Sequence, residues 1–580
     1  MRRAPRSITA ALILLIGLWG TPALAQVPGA AARAAATPPK GDIARHAMVA
    51  AANPTAVAAG LKVLKSGGMA VDAAVAMQAV LGVLEPESSG LGGGAFMVFY
   101  DGKTHEVTSY DGREMAPAGA TPEMFMANGK PIPFPAAVTS GRATGVPGAL
   151  AMLNLAHKQH GKRPWSSLFG DAEYLAEQGF VVSNKLGAAI NSNSPQAKGT
   201  DAAAYFTKSD GTRYTAGEVI RNAPYAATLR RLAAQGPDAL LKGDIARAIV
   251  DRVHQGDYPG TLTLDDLAAY APRAENALCV LWHVKYRVCT PRPPSGGSAL
   301  LHGLLLLEKT DIAKRGPTDP LAWVQLAQAE RLMYADRDVY VGDPAFVNIP
   351  TAGWLSDSYV SQRAAMIGPA LGPTPVAGKP PGAQMMGPDA TIEPGGTSHM
   401  VIVDRWGNVV SMTTTVESPF GSGRMVHGFF LNNQLTDFSF SPVQPGGAPA
   451  ANAVGPRKRP RSAMSPVIVL EAATGKLVAA LGSPGGPAII SYHLKAMTGV
   501  FDWGLSLQAA FDLPNIVARN NAISSESTLY APGVVEGMAK LGLTLREGGQ
   551  ENSGLHGVLV KDGALIGAAD VRREGVARGY

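Results

Sequence analysis

Cysteine and net charge are both scarce in this sequence. The 580 residues contain only two cysteines and no local pair of histidines beside them, so they do not supply the four ligands of a structural zinc site. The formal net charge is +6, and three of those charges are Arg2, Arg3 and Arg6 at the N-terminus. The remaining excess is too small to indicate binding to nucleic acid.

Long hydrophobic runs are also absent after the first residues. The chain opens with a basic stretch, an apolar run from Ala10 to Trp19, and Ala23-Leu24-Ala25, which has the small-x-small pattern of a cleavage site. This pattern predicts a signal peptide over residues 1–25 and a periplasmic or secreted protein. An uncleaved membrane anchor is the alternative, although the run is shorter than the span of about 20 residues that a bilayer requires.

The two cysteines flank one predicted hairpin. Cys279 and Cys289 enclose the alternating stretch VLWHVKYRV, which can turn near His283 and Val284. Such a turn places the cysteines opposite each other on neighbouring strands. A disulfide suits an exported protein, and two free thiols are the alternative.

A phosphate-binding loop is missing as well. The glycine-rich run at Gly90–Gly94 lacks the Lys-Ser/Thr pair of such loops, and it precedes a strand instead of a helix. We therefore interpret it as a site of close backbone packing.

What the sequence does contain is an abrupt change at one threonine. Residues 369–396 are rich in proline and glycine and predict an exposed, flexible segment. A dense strand pattern begins directly afterwards, turns at Trp406–Asn408 and continues as a second strand with many hydroxyl groups. Gly395 and Gly396 precede Thr397 at this junction.

This junction predicts that the chain cuts itself. A threonine hydroxyl is a poor nucleophile unless a base removes its proton, and a free α-amine on the same residue has a suitable pKa of about 7.7–8.0. Thr397 gains that amine only if the bond after Gly396 is broken, and the two glycines allow the backbone shape that such a reaction needs. A strand-opening threonine after an ordinary glycine turn is the alternative.

A second glycine turn offers hydrogen-bond donors for the same chemistry. Gly485 and Gly486 follow the apolar strand KLVAAL within the stretch LGSPGGPAII. Their successive N–H groups can form the oxyanion hole that acyl transfer requires. An ordinary turn is again the alternative.

Charged side chains elsewhere suit an amino acid as substrate. Arg113 follows a strand and can bind a carboxylate through two parallel hydrogen bonds, although a surface pair with Glu114 is an alternative. Gln434 and Asp437 can accept hydrogen bonds from an ammonium group. Together these side chains match the two ends of an amino acid.

The chain resembles the γ-glutamyltransferase (glutathione hydrolase) family from about Ala50 to Gly567. The resemblance is carried by the motifs GGMAVDAAVA, EPESSGLGGGAFMVFYDG, REMAPAGAT, PPSGG, YADRDVYVGDPAFVNIP, TSHMVIVDRWGNVVSMT, NNQLTDFS, NAVGPRKRPRSAMSPVIV and GSPGG. It implies an α+β fold, the four-layer α/β/β/α sandwich of N-terminal nucleophile hydrolases. It also implies self-cleavage into a large subunit of residues 26–396 and a small subunit of residues 397–580 that stay together, with no cofactor and no metal.

The resemblance assigns a role to each candidate residue. Thr397 is the nucleophile with its α-amine as base, and Thr415 holds Thr397 through a hydrogen bond. The remaining roles are the oxyanion hole at Gly485 and Gly486, the α-carboxylate contacts at Arg113 and Ser462, and the α-amino side at Gln434 and Asp437.

The sequence departs from the family pattern in three places. Glu417 stands where the family often has asparagine, and an inward-pointing Glu417 adds negative charge beside the substrate ammonium. Ala463 replaces the second serine of a usual Ser-Ser pair, which removes one carboxylate donor. The segment between Ser439 and Asn452 is short and lacks the tyrosine of the usual lid, so the pocket is expected to be open.

The expected activity is that of a γ-glutamyl hydrolase or transferase acting on glutathione and related amides. Water, or the amino group of an amino acid or dipeptide, releases the acyl group from Thr397. A related acylase on glutaryl-type cephalosporin amides is an alternative, which Glu417 and Ala463 keep open. A family member that only binds γ-glutamyl compounds is a third possibility, against which Thr397 and Thr415 argue.

Overall fold

Two seven-stranded antiparallel sheets form the centre of the protein. The computed structural model describes residues 41–384, 386–389, 391–393, 395–444, 446–547 and 553–580. The predicted signal peptide lies outside these residues. Within them, no helix combines the length and apolar character that a membrane crossing needs.

Sheet I contains the strand that follows Thr397. Its strands, in spatial order, are Val576–Gly579, Met48–Ala51, Ser398–Val403, Val409–Thr415, Gly94–Tyr100, Val107–Gly112 and Arg273–Asn276. Sheet II has the order Asp42–Ala44, Ala564–Ala569, His556–Lys561, Leu477–Gly482, Val467–Glu471, Tyr286–Thr290 and Leu278–Trp282. Smaller pairings join Met126–Ala127 to Lys130–Pro131, Phe180–Val181 to Val219–Ile220, Met425–Val426 to Phe429–Phe430, and Ile516–Arg519 to Ala522–Ser525 and Arg546–Glu547.

Helices cover the outer face of each sheet. Those before residue 270 are Pro54–Lys65, Ala70–Leu84, Phe134–Val138, Ala149–His160, Gly170–Gln178, Asn184–Ile190, Pro195–Lys198, Thr200–Phe206, Ala223–Gln235, Asp238–Leu241, Gly243–Val253 and Leu264–Ala268. Those after it are Gly297–Glu308, Pro320–Tyr340, Thr351–Trp354, Asp357–Ala364, Ile489–Met497, Leu507–Asp512 and Val534–Lys540.

The alternation of buried side chains along each strand creates the layers. Met400 and Ile402 pack with the helices outside sheet I, whereas Val401 and Val403 pack with residues of sheet II, because successive side chains of a strand point to opposite faces. Sheet II in turn packs its outer face against helices such as Gly297–Glu308 and Pro320–Tyr340. The predicted α/β/β/α sandwich is therefore confirmed.

Local sequence signals explain where two of these helices begin. Asn53 accepts a hydrogen bond from the backbone of Thr55, and Pro54 occupies the first helical position, where its missing N–H has no helical partner to lose. Asp319 caps the helix Pro320–Tyr340 in the same way through Leu321.

The cysteine hairpin forms as the spacing predicts. Cys279 lies directly opposite Cys289, and the two are joined by a disulfide. His283 and Val284 both have positive φ values, 51° and 60°, which are typical of a tight hairpin turn. The structure therefore shows a disulfide and not two free thiols.

The glycine run at residues 90–94 packs closely, as expected. A Cβ atom on Gly92 would lie 2.2 Å from the Phe430 oxygen, and one on Gly93 would lie 2.0 Å from the Thr415 oxygen. No other residue fits here without moving the backbone, so this run fixes the end of the strand Val409–Thr415.

The prediction that residues 369–396 are exposed is wrong for the end of that segment. Asp389, Glu393 and Gly396 are buried. The physical reason is charge pairing: Arg461 binds both Asp389 and Glu393, so the segment is drawn onto the folded body.

Candidate active site

Thr397 lies immediately before the strand Ser398–Val403. Ser398 pairs with Thr414 in sheet I. One step further along this register, Thr397 comes opposite Thr415, the last residue of its strand. The two candidate hydroxyls therefore meet at the end of a single β-hairpin.

Three oxygen atoms form a short chain at this point. The Thr397 Oγ1 lies 2.5 Å from the Gly396 carbonyl oxygen and 3.2 Å from the Thr415 Oγ1. The Thr415 hydroxyl donates to the same Gly396 oxygen at 2.5 Å, and its own oxygen accepts from the Glu417 N–H at 2.8 Å. A donor on a carbonyl oxygen stabilises negative charge there, and the Thr415 hydroxyl is such a donor to Gly396.

Gly396 follows a path that has little room for a side chain. A Cβ atom on Gly396 would lie 2.4 Å from the Glu417 oxygen. Gly395 runs beside the second glycine turn, where its Cβ position is 3.6 Å from the Gly485 carbonyl carbon and 3.7 Å from the Gly486 nitrogen. The structure thus brings the candidate oxyanion hole against the residues that precede Thr397.

Arg113 is buried, which excludes the surface alternative. Its Nη2 donates to Asp437 at 2.5 Å and to the Arg461 carbonyl at 2.6 Å, and its Nε donates to the Pro460 carbonyl at 3.1 Å. Glu114 lies 3.8 Å from its Nη1. In this structure Arg113 is therefore already paired with Asp437, and these contacts fix the plane of its guanidinium group.

Gln434 and Asp437 belong to one turn of 3₁₀-helix, Gln434–Asp437. The Gln434 Nε2 donates to the Asp437 Oδ2 at 2.7 Å. The other two oxygens, Gln434 Oε1 and Asp437 Oδ1, are buried and have no hydrogen-bond partner among the residues that the structure describes. Buried acceptors are normally satisfied, so these two are suited to a donor that arrives with a ligand.

Glu417 points into the same space and is 4% exposed. Its Oε2 accepts hydrogen bonds from Ser418 Oγ and Asn433 Nδ2, each at 2.7 Å. Burial raises the pKa of Glu417 well above its ordinary value, and the neighbouring Asp437 raises it further. Burial also raises the pKa of Asp437, against the opposing effect of Arg113.

Ser462 and Ala463 lie on another side of the space that Arg113, Gln434 and Glu417 border. The Ser462 Oγ accepts from the Met464 N–H at 3.1 Å, and its backbone N–H donates to the Pro294 carbonyl. The Ser462 hydroxyl hydrogen remains available as a donor. Ala463 contributes no polar group at its position.

Almost every candidate residue lines one small cavity of about 20 Å³. Gly396 and Gly485 are the exceptions, and they lie next to Thr397 and Gly486 of the wall. The lining residues are Arg113, Glu393, Thr397, Thr415, Glu417, Gln434, Asp437, Ser462, Ala463, Met464, Gly486 and Ile489.

The sequence analysis missed Glu393 and Arg573. Arg573 Nη1 donates to the Thr397 carbonyl oxygen at 2.9 Å, so a residue near the C-terminus fixes the backbone of the candidate nucleophile. Glu393 lies four residues before Thr397 and is buried in the cavity wall. Neither residue stands in a local sequence pattern that indicates its contact.

The buried carboxylate of Glu85 binds the residue that follows Thr397. Glu85 Oε2 accepts from the Ser398 hydroxyl at 2.9 Å and lies 3.4 Å from Lys185 Nζ. Burial raises the pKa of Glu85, but Lys185 and Arg573 outweigh this effect and hold that pKa below its ordinary value. Glu85 is therefore an ionised acceptor that orients Ser398, the residue after Thr397.

Comparison with known proteins adds an independent finding. The family model described as gamma-glutamyltranspeptidase matches residues 56–580. A glutathione hydrolase proenzyme of Bacillus subtilis (strain 168) is 38% identical over 558 residues, which cover 93% of this chain and 92% of the relative.

Solved structures agree with this result. A cephalosporin acylase from Bacillus halodurans matches with a TM-score of 0.81 and 25% identity, covering 94% of this chain and 98% of its own. The gamma-glutamyltranspeptidase of Helicobacter pylori matches with a TM-score of 0.52 and 30% identity, covering 56% of this chain and 91% of its own. The fold is that of the N-terminal nucleophile hydrolases, and this chain belongs to the γ-glutamyltranspeptidase family.

Proposed function

We propose that this protein is a self-cleaving γ-glutamyl hydrolase and transferase that acts on glutathione and related γ-glutamyl amides. The observation that carries this proposal is the contact of the Thr397 hydroxyl with the Gly396 carbonyl, which the Thr415 hydroxyl also binds. Family membership and the glutathione hydrolase relative support the substrate class.

The first reaction is self-cleavage. The Thr397 Oγ attacks the Gly396 carbonyl carbon, a C–O bond forms, and the C–N bond to Thr397 breaks. The hydroxyl proton goes to the departing nitrogen, and water then hydrolyses the ester. The products are a carboxylate at Gly396 and a free α-amine on Thr397, which give a large subunit of residues 26–396 and a small subunit of residues 397–580.

The second reaction repeats this chemistry on a substrate amide. The α-amine of Thr397 takes the hydroxyl proton, the Oγ attacks the γ-carbonyl, and the leaving amine accepts the proton. The N–H groups of Gly485 and Gly486 bind the oxyanion. Water or the amine of an amino acid or peptide then attacks the ester, and Thr397 regains its proton.

The residues that line the cavity support binding of the glutamyl group. The free oxygens of Gln434 and Asp437 are the acceptors for the α-ammonium, and Glu417 stands beside them. Arg113 and Ser462 are the donors for the α-carboxylate. Because Arg113 is already paired with Asp437, this pair matches a zwitterion, with one charge facing each end of the ligand.

Two further features complete the proposal. The N-terminal pattern supports export to the periplasm or beyond, with residues 1–25 removed as a signal peptide. No cofactor, metal or nucleic acid takes part in the proposed reaction, and the partners are small molecules and the two subunits.

A glutaryl acylase is the second candidate, since the matching acylase structure spans nearly the whole chain. Glutaryl compounds lack the α-amine, so the test compares the rates of γ-glutamyl and glutaryl anilides with the purified protein. We expect the γ-glutamyl anilide to be the better substrate. A preference for the glutaryl anilide would support the acylase. An uncut chain with no turnover of either compound would support a binding protein.

A further inference from the structure

Glu393 is held at the edge of the cavity by two buried arginines. Its Oε1 accepts from Arg461 Nε at 3.1 Å and from Arg461 Nη2 at 2.9 Å. Arg337 Nη2 lies 2.8 Å from its Oε2 and 3.1 Å from its Oε1. Two guanidinium groups therefore donate hydrogen bonds to this carboxylate.

The two arginines belong to elements outside the segment that ends at Gly396. Arg337 lies in the long helix Pro320–Tyr340, and Arg461 lies in the loop that leads to the strand Val467–Glu471. Both side chains are fully buried. The contact of Glu393 with these two arginines therefore attaches the segment before Thr397 to the folded body.

Glu393 also completes a balanced cluster of buried charges. Arg337, Arg461 and Arg519 contact three carboxylates, namely Glu393, Asp338 and Asp389. Asp338 belongs to the helix Pro320–Tyr340. It contacts arginines of the same cluster, but it is far from the Gly396–Thr397 bond along the chain. This difference supplies a matched control.

The short connection from Glu393 to Thr397 contains two glycines, Gly395 and Gly396. Gly395 and Gly396 carry no side chains, and glycine loses more conformational freedom on ordering than any other residue. The C-terminal end of the connection is fixed by the strand Ser398–Val403, and the N-terminal end is fixed by Glu393.

We propose that Glu393 is a positioning residue for self-cleavage, an inference that rests on the proposed function. By binding Arg337 and Arg461, it holds the Gly396 carbonyl against the Thr397 hydroxyl before the bond is cut. Holding the reacting groups in the correct geometry contributes much of the rate acceleration of such reactions. The role concerns the precursor and is distinct from contacts with the substrate.

The experiment follows newly made full-length chain by pulse labelling and measures the rate at which the small chain appears on a denaturing gel. Glu393→Gln keeps the shape of the side chain and removes its charge, and Asp338→Asn makes the matched change in the same cluster. We expect Glu393→Gln to slow cleavage by about tenfold or more, and Asp338→Asn by less than about threefold. Thermal unfolding of both variants, measured with the additional change Thr397→Ala, is expected to show similar losses of stability.

Equal slowing in both variants would reduce Glu393 to a structural member of the cluster and overturn the inference. Cleavage of Glu393→Gln at the wild-type rate would also overturn it. A third variant, with one glycine inserted after Gly395, keeps every charge and lengthens the connection, so it decides the question if Glu393→Gln does not fold. We expect slow cleavage there, and a wild-type rate would contradict the inference.

The same gel separates this inference from the proposed function. If the wild-type chain is never cut before Thr397, the proposed function fails. If the wild-type chain is cut there and the Glu393 and insertion variants are cut equally fast, only the positioning role fails.

Discussion

Glu417 is one of the three departures from the family pattern, and its side chain lies near Asp437 in the cavity wall. Burial raises the pKa of Glu417 in the free protein, and an ammonium group beside it favours the ionised form. We expect Glu417→Asn to lower kcat/KM for a γ-glutamyl anilide by about tenfold, because a hydrogen bond between a charged ligand and its partner contributes roughly 1.5–3 kcal/mol. A glutaryl anilide has no ammonium group, so its kcat/KM is expected to change little. Steady-state kinetics of both compounds on both proteins provide the measurement.

Glu417→Gln is the control for this prediction, since it keeps the length of the side chain and removes its ability to ionise. If charge is the cause, Glu417→Gln and Glu417→Asn lose activity alike. A greater loss on the glutaryl compound would contradict the γ-glutamyl assignment and favour the acylase.

Arg113 binds Asp437 and two backbone carbonyls with a planar group that lysine cannot imitate. Arg113→Lys keeps the charge and loses the two-pronged geometry. We expect KM for γ-glutamyl substrates to rise by about tenfold or more, since roughly 1.5–3 kcal/mol accompanies a charged hydrogen bond, while cleavage before Thr397 continues. Substrate saturation curves measure KM, and a denaturing gel shows whether the chain is cleaved. An unchanged KM would place Arg113 outside the substrate contacts.

Glu114 is buried beside Arg113, and both of its carboxyl oxygens lack a hydrogen-bond partner within the described structure. Burial raises the pKa of Glu114 to about 8 from an ordinary value of 4.5. The folded protein therefore keeps this proton between those pH values while the unfolded chain releases it, so the contribution of Glu114 to stability falls as pH rises through that range.

Glu114→Gln replaces the carboxyl group with a neutral amide of the same shape and removes that dependence. We expect the variant to match the wild type in unfolding free energy near pH 5 and to exceed it near pH 8. Urea unfolding at the two pH values is the measurement. A variant that is equally destabilised at both would show that Glu114 is ionised in the folded protein.

At the scale of elements, the turn before Thr397 and the end of strand Val409–Thr415 approach closely. We expect Gly396→Ala to block or strongly slow self-cleavage, because its Cβ would lie 2.4 Å from the Glu417 carbonyl oxygen and must push the Gly396–Thr397 bond out of place. Gly395→Ala is the control, since its Cβ meets only ordinary contacts of 3.6 Å or more. Comparison of cleavage rates tests the pair, and equal rates would contradict this account.

The sequence predicts contacts within one hairpin better than contacts between distant elements. The strand–turn–strand pattern around Trp406 is enough to bring Thr397 beside Thr415, because the register of a short hairpin follows from its turn. The pairing of Arg113 with Asp437 joins residues far apart in the chain, and it depends on how the sheets and loops pack. The burial of Glu393 could not be predicted either, because a segment rich in proline and glycine gives no sign of the arginines that hold it.

At the scale of the whole molecule, the two predicted subunits share both sheets. In sheet I, the strand Met48–Ala51 lies between Val576–Gly579 and Ser398–Val403, so a large-subunit strand is flanked by two small-subunit strands. In sheet II, Tyr286–Thr290 pairs with Val467–Glu471 across the same division. Because separation would break both ladders and expose the core between the sheets, cleavage is not expected to release either subunit.

We therefore expect the purified protein to run as two chains on a denaturing gel and to elute as one species in gel filtration. N-terminal sequencing of the smaller chain is expected to begin at Thr397. Thr397→Ala removes the hydroxyl that lies 2.5 Å from the Gly396 oxygen, so this variant should remain a single, inactive chain of the same fold. A small chain that begins at another residue would contradict the assignment of the nucleophile, whereas two separately eluting subunits would contradict only the shared-sheet argument.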